Sequence, residues 1–271
     1  MSRWGETLSE TKRCLYCDTS FMEEVNWTWA LGLSEEKLLC PSCDAKVVPI
    51  RAIGCEMCGR QVEKEDHDFV DSGVNLPATF RIKPSVLCRD CLRWKEEGQV
   101  GNRSVQQRSL YVYNDFLQEV MARFKYRGDA ELATLFSQKL KGLVQSLGKL
   151  DAVTVIPLAG ERLWERGFNQ AALLAGELWY RDVLVRVGVS EKQSKRGRRE
   201  RMSALQGVFR LSDEGGAVDW AGKRIVIVDD IYTTGATLRA AATVLYEAGA
   251  LEVLAVTVAR ATGAVMLKNK G

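Results

Sequence analysis

Eight cysteines stand in four Cys-x-x-Cys pairs: Cys14/Cys17, Cys40/Cys43, Cys55/Cys58 and Cys88/Cys91. Each pair can give two thiolates to one ion. Tetrahedral zinc takes four, so the eight fit two structural zinc sites with no coordination position left open for catalysis. A thioredoxin-like redox motif is a lone pair beside a βαβ unit, whereas four pairs outside one argue for metal. Three pairings of the motifs are compatible with the spacing: sequential, interleaved and nested. The sequential one, Cys14/Cys17/Cys40/Cys43 with Cys55/Cys58/Cys88/Cys91, closes the shortest loops and is the expectation. Gly59, directly after Cys58, suits a zinc-knuckle turn that asks for a positive φ.

A second constellation lies in Arg224-Ile-Val-Ile-Val-Asp-Asp-Ile-Tyr-Thr-Thr-Gly-Ala-Thr-Leu238. Its apolar run delivers two carboxylates, Asp229 and Asp230, to the carboxyl end of a strand, where open α/β sheets bind ligands. Thr233, Thr234, Gly235, Ala236 and Thr237 follow immediately before a helical pattern. Free N–H groups at a helix start, with three hydroxyls and a glycine that permits close approach, form an anion cradle. Carboxylates that accept from vicinal hydroxyls, beside a cradle for a phosphate, suit a ribose phosphate.

Other chemistry is excluded or weakly marked. His67 is the sole histidine, so multi-His metal sites are ruled out and a Ser-His-Asp or Cys-His mechanism would rest on this residue. It lies in a charged run, Lys-Glu-Asp-His-Asp, that reads as solvated surface. The net charge of +3, from 38 basic and 35 acidic side chains, is too small to imply a polyanionic partner. Val25, Trp27 and Trp29 alternate as in a ribbon strand with one covered face; the alternative is an aromatic surface for stacking bases. No run approaches the ~18 apolar residues of a membrane helix, and the start lacks a signal peptide's apolar region. The expectation is a cytoplasmic chain without membrane insertion, where clustered cysteines mean metal rather than disulfides.

These groups need elements to position them. Residues 1–100 hold every cysteine, lack long periodic apolar segments and carry a net −4, against +7 for residues 101–271. Glu-Glu-Gly-Gln-Val-Gly-Asn reads as a linker, placing a boundary near Gly98–Asn102. The first part is then a small double zinc-ribbon module, residues 1–100. In the second, residues 101–271, strands are expected at Ser109–Tyr113, Ala152–Ile156, Arg224–Val228 and Val253–Val258. Helices are expected after an Asn114 N-cap, over Ala130–Leu147, over Asn169–Tyr180 and from Ala236 to Glu247. Alternation of this kind predicts a parallel α/β sheet with helices on its faces. Between Val187 and Lys223 only Gly207–Leu211 has a strand pattern.

The Arg224–Leu238 string resembles the 5-phosphoribosyl-1-pyrophosphate (PRPP) motif of type I phosphoribosyltransferases, whose fold is Rossmann-like. The resemblance implies that Asp229 and Asp230 hold ribose and that Thr233, Thr234, Gly235, Ala236 and Thr237 hold the 5′-phosphate. It implies a pyrophosphate loop at Pro157, Leu158, Ala159 and Gly160, and Mg²⁺ accompanying PRPP. Arg162 and Arg166 follow that loop. Lys192, Lys195, Arg196, Arg198, Arg199 and Arg201 crowd the polar stretch where such enzymes carry a flexible loop that closes over PRPP; a plain basic linker is the alternative. Lys125-Tyr-Arg-Gly-Asp129, Arg166-Gly-Phe-Asn-Gln170 and the Cys-x-x-Cys pairs narrow the likeness to the ComF family, from Cys14 to about Arg260. That resemblance implies cytoplasmic steps of DNA uptake in natural transformation, with a helicase-like ATPase, ComFA, as partner. The basic second half, including Arg166, Lys192, Lys195 and Arg201, with the zinc ribbons, permits single-stranded DNA binding. The alternative is phosphoribosyl transfer from PRPP to an unknown base-like acceptor, for which no base-reading hood is evident.

Overall fold

The computed structural model describes residues 9–24, 27, 31, 36–61, 69–71, 86–96, 103–176, 178–187 and 207–261. The chain divides into two compact units, Met1–Val48 and Pro49–Gly271. That division lies well before the linker-like stretch near Gly98–Asn102. The reason is packing: Cys55, Cys58, Leu87, Cys88 and Cys91 share one buried cluster with Ile225, Ile227, Leu238 and Leu245 of the α/β part.

In the first unit, β1 (Ser9–Arg13) and β2 (Ser20–Glu24) pair antiparallel around a turn that holds Cys14 and Cys17. Asp18 turns the chain in the left-handed region, at φ 59°. Cys40 precedes α1 (Pro41–Asp44), whose proline costs nothing at a position without a helical acceptor. Trp27 is 84 % exposed and outside any strand, against the ribbon-strand expectation. Val25, Trp29 and His67 lie outside the described residues.

The second unit is built on a parallel sheet, in the order β5 (Gln106–Val112), β10 (Glu252–Arg260), β9 (Arg224–Tyr232) and β6 (Ala152–Val155). Both faces are covered, which is why the strands read as unbroken apolar runs. Ile225, Ile227, Val253 and Ala255 pack with Leu238, Ala241, Ala242 and Leu245 of α8 (Ala236–Glu247). The intervening Val226, Val228, Leu254 and Val256 are as buried and point to the opposite face. There α4 (Thr134–Ser146) packs on β10 and α6 (Gln170–Ala175) on β9. A buried network ties β5 to β10: Gln107 Nε2 donates to Ser109 Oγ at 2.6 Å and to Thr257 Oγ1 at 2.9 Å.

The helix α3 (Asp115–Tyr126) starts where expected, with Asn114 Oδ1 accepting from the Leu117 amide at 3.0 Å. Ala130–Leu147 is a 3₁₀ turn, Ala130–Ala133, followed by α4. The expected Asn169–Tyr180 helix is shorter, because Gly176 at φ 44° ends α6. Gly207–Leu211 holds β8 (Phe209–Leu211), paired antiparallel with β7 (Leu184–Arg186), which was not expected from the sequence. The second cysteine ribbon contributes β3 (Phe69–Asp71) and β4 (Val86–Cys88), then α2 (Arg89–Glu96). No helix among the described residues is long and apolar enough to cross a membrane.

Candidate functional site

The thiols gather sequentially, Cys14 with Cys17, Cys40 and Cys43, and Cys55 with Cys58, Cys88 and Cys91, all Sγ atoms of each group within 4.8 Å of one another. Cys17 and Cys40 are 3.7 Å apart at sulfur, as are Cys58 and Cys88. A zinc tetrahedron with bonds of about 2.3 Å has sulfur–sulfur edges of roughly 3.8 Å. Both groups therefore fit a four-thiolate metal ion such as zinc, and all eight thiols are free of disulfides. The two surroundings differ. Cys17 is exposed, whereas the four thiols of the second group are fully buried. Arg260 Nη2 lies 2.9 Å from Cys58 Sγ, and Arg239 Nη2 lies 4.0 Å from Cys91 Sγ. Four thiolates around a divalent ion leave two negative charges, and buried guanidiniums offset them. Gly59 has the expected positive φ, 63°, and a Cβ there would stand 2.9 Å from the Gln107 carbonyl oxygen of β5.

Asp229 and Asp230 sit at the carboxyl end of β9, as the strand pattern implies. Their charges are not equivalent. Lys125 Nζ, from α3, meets Asp230 Oδ2 at 2.5 Å. Asp229 Oδ1 accepts from the Asp230 amide at 2.8 Å. Burial and the neighbouring Asp230 push the Asp229 carboxyl up to about 7, against the pull of that amide, Lys125 and Arg186. Burial favours neutral Lys125, but Asp230 and Asp229 more than offset it and hold its pKa up. Arg186, on β7, is lowered by burial and by Arg162, with Asp229 opposing. Two cations from two elements, Lys125 and Arg186, thus act on one acidic pair, and Arg162 acts in turn on Arg186.

The cradle follows directly. Gly235 stands at φ 79° as the residue before α8. A Cβ there would run into the Tyr232 ring, so both the dihedral and the packing require glycine. The Ala236 amide reaches Thr234 Oγ1 at 3.4 Å. Thr233 is exposed, Thr234 and Thr237 half-buried, and Gly235 and Ala236 buried.

The β6 loop lies beside this edge, since the Ile156 amide continues the ladder to the Val228 carbonyl at 3.0 Å. Pro157, Leu158 and Ala159 form the loop and Gly160 opens α5 (Gly160–Arg166). Asn169 caps α6 and donates from Nδ2 to the Ile156 carbonyl at 3.0 Å, fixing the loop's root. The two short motifs clasp each other. Arg166 stacks over Tyr126 at 5.4 Å while donating to Gln170 Oε1 at 2.8 Å, and Phe168 packs on Phe124 at 5.6 Å. Asp129 accepts from Arg123 at 2.7 Å. Lys192, Lys195, Arg196, Arg198, Arg199 and Arg201 lie outside the described residues.

With this geometry in hand, similarity to known proteins is decisive. The chain is 35% identical over 240 residues to competence protein ComFC of Bacillus subtilis (strain 168), covering 87% of this chain and 89% of that one. The chain belongs to the ComFC family. It is 31% identical to the Streptococcus pneumoniae (strain R6) competence protein ComFC, over 89% of this chain and 96% of the relative. It is also 31% identical to DNA utilization protein YhgH of Salmonella typhimurium (strain LT2), over 73% of this chain and 86% of the relative. Residues 166–271 match the phosphoribosyl transferase domain, which contains β9, the acidic pair and α8.

Sequence reasoning passed over several participants. Lys125 stands inside the Lys125–Asp129 motif, and that motif was the available signal. Arg186 had none, because β7 is only three residues long. Tyr232 lies within the PRPP-like string without a role being read for it, and Trp94, Arg239 and Arg260 have no local pattern that points to the site.

Proposed function

We propose that the chain binds PRPP or a related ribose phosphate and acts in cytoplasmic steps of DNA uptake, a reading supported by relatives that are competence and DNA utilization proteins. The acidic pair set directly before the Gly235 cradle carries this reading. Asp229 and Asp230 accept from the ribose hydroxyls, residues 233–237 take the 5′-phosphate on backbone N–H groups and hydroxyls, and Pro157–Gly160 takes the pyrophosphate. Lys125 and Arg186 hold the carboxylates in place and limit their mutual repulsion. Magnesium would reach the site with the pyrophosphate and neutralise part of its charge.

Structural zinc in both cysteine groups belongs to the same reading, as does a ComFA-like ATPase as partner. Single-stranded DNA is the polyanion that this surface fits, supported by Tyr126, 76 % exposed with Arg166 over its ring, and Trp164, 86 % exposed on α5. Such aromatic–arginine surfaces stack bases. A transferase is the second reading, favoured by the complete PRPP string: a nitrogen nucleophile would bond to ribose C1 as the C1–oxygen bond breaks and pyrophosphate leaves. Little proton chemistry is needed, so one histidine is no obstacle.

Calorimetry with PRPP and Mg²⁺ tests the binding claim. Changing Asp229 and Asp230 together to Asn should weaken binding roughly 10- to 100-fold, the worth of charge-assisted hydrogen bonds. Equal affinity of the double variant would refute the assignment.

A further inference from the structure

We infer that the second cysteine ribbon is the support of the 233–237 loop, so that metal loading at Cys55/Cys58/Cys88/Cys91 sets the shape of the phosphate cradle. Cys91 and Trp94 are three residues apart on α2 and share a face. Trp94, 3 % exposed, packs with Ala236 at the first turn of α8 and donates from Nε1 to the Thr234 carbonyl at 3.2 Å. Arg239, one turn along α8, lies 4.6 Å over the Trp94 ring and reaches back to Cys91 Sγ. On the other side of the loop, Arg260 binds Cys58 twice, at Sγ and at its carbonyl, both 2.9 Å, and lies 5.2 Å over the Tyr232 ring. Tyr232 in turn sits against Gly235.

Two short chains of contact therefore run from sulfur to the cradle, one through Trp94 to Thr234 and Ala236, the other through Arg260 and Tyr232 to Gly235. Gly235 at φ 79° has no intrinsic preference to stay there, so its conformation depends on such contacts. Metal at the ribbon fixes the spacing of Cys58 and Cys91 and, with them, both supports. Trp94 is a positioning residue: it touches the loop and not a ligand. This inference rests on the ribose-phosphate reading for its consequence, but the mechanical coupling can be measured without a ligand.

The test uses full-length zinc-loaded protein and Trp94→Phe, which keeps a smaller aromatic ring and removes the indole N–H. Zinc content should stay at two per chain while amides of residues 233–239 exchange with deuterium several-fold faster. Ribose 5-phosphate should bind roughly 3- to 10-fold more weakly, as for loss of one hydrogen bond. Cys14→Ser protein, which retains only the second metal, is then titrated with a chelator. Exchange at residues 233–239 should rise in step with zinc released. Unchanged exchange in Trp94→Phe, or exchange that ignores loss of the second zinc, overturns the coupling. If the wild type binds no ribose 5-phosphate while the exchange results hold, the ligand reading fails and the coupling stands.

Discussion

Asp229 and Asp230 are chemically distinct although adjacent. Asp230 is ion-paired with Lys125, whereas burial and Asp230's charge raise the Asp229 carboxyl to about 7. An unfolded Asp ionises near pH ~3.9. Between roughly pH 4 and pH 7 the folded chain keeps a proton that the unfolded chain has released, so this group makes stability fall as pH rises, with no further change above 7. Asp229→Asn should therefore gain melting temperature relative to the wild type progressively across that window, and the gain should be constant at higher pH. A difference between the two proteins that does not vary from pH 4 to 8 would contradict this account of the pair.

At the scale of elements, the two cysteine ribbons are unlike in what depends on them. The first closes a hairpin within Met1–Val48, and the second is part of the core of Pro49–Gly271. Structural zinc contributes roughly 10–16 kcal/mol of apparent binding energy to the module that it folds. Cys14→Ser should lose one zinc and leave the main calorimetric transition of the sheet in place. Cys58→Ser should lose the other and lower that transition by roughly 10 °C or more, a loss of several kcal/mol in a unit of this size. Similar effects of the two substitutions would place the ribbons on an equal footing. Much of this was legible in the sequence. Strand β9, the cradle and α8 were readable because an unbroken apolar run, an acidic pair and a glycine each report a local requirement. The unit boundary was not. It depends on Arg260 and Arg239 meeting cysteines far away in the chain and on Trp94 meeting Thr234 and Ala236, and a composition shift near residue 100 registers chemistry rather than packing. The short α6 was misjudged because its apolar pattern continues past Gly176, and β7 because three residues cannot show a period.

Across the whole molecule, the charge of +3 conceals a division between −3 for Met1–Val48 and +6 for Pro49–Gly271. Four thiolates around a divalent ion subtract two more from each unit, which takes the loaded chain to −1. Any polyanion should accordingly meet the second unit, where Lys125 and Arg186 act on the acidic pair and Tyr126 and Trp164 are exposed. The fold thus places the second cysteine group, the 233–237 loop, the acidic pair with Lys125 and Arg186, and exposed aromatic rings on one unit. The most direct measurement is a crystal structure grown with PRPP, Mg²⁺ and zinc, with anomalous scattering recorded at the zinc edge. The account predicts two zinc peaks, each inside one sequential cysteine group. It also predicts ribose density on Asp229 and Asp230 and a 5′-phosphate against the amides of residues 233–237. Ligand density elsewhere, with that edge empty at saturating PRPP, would contradict it.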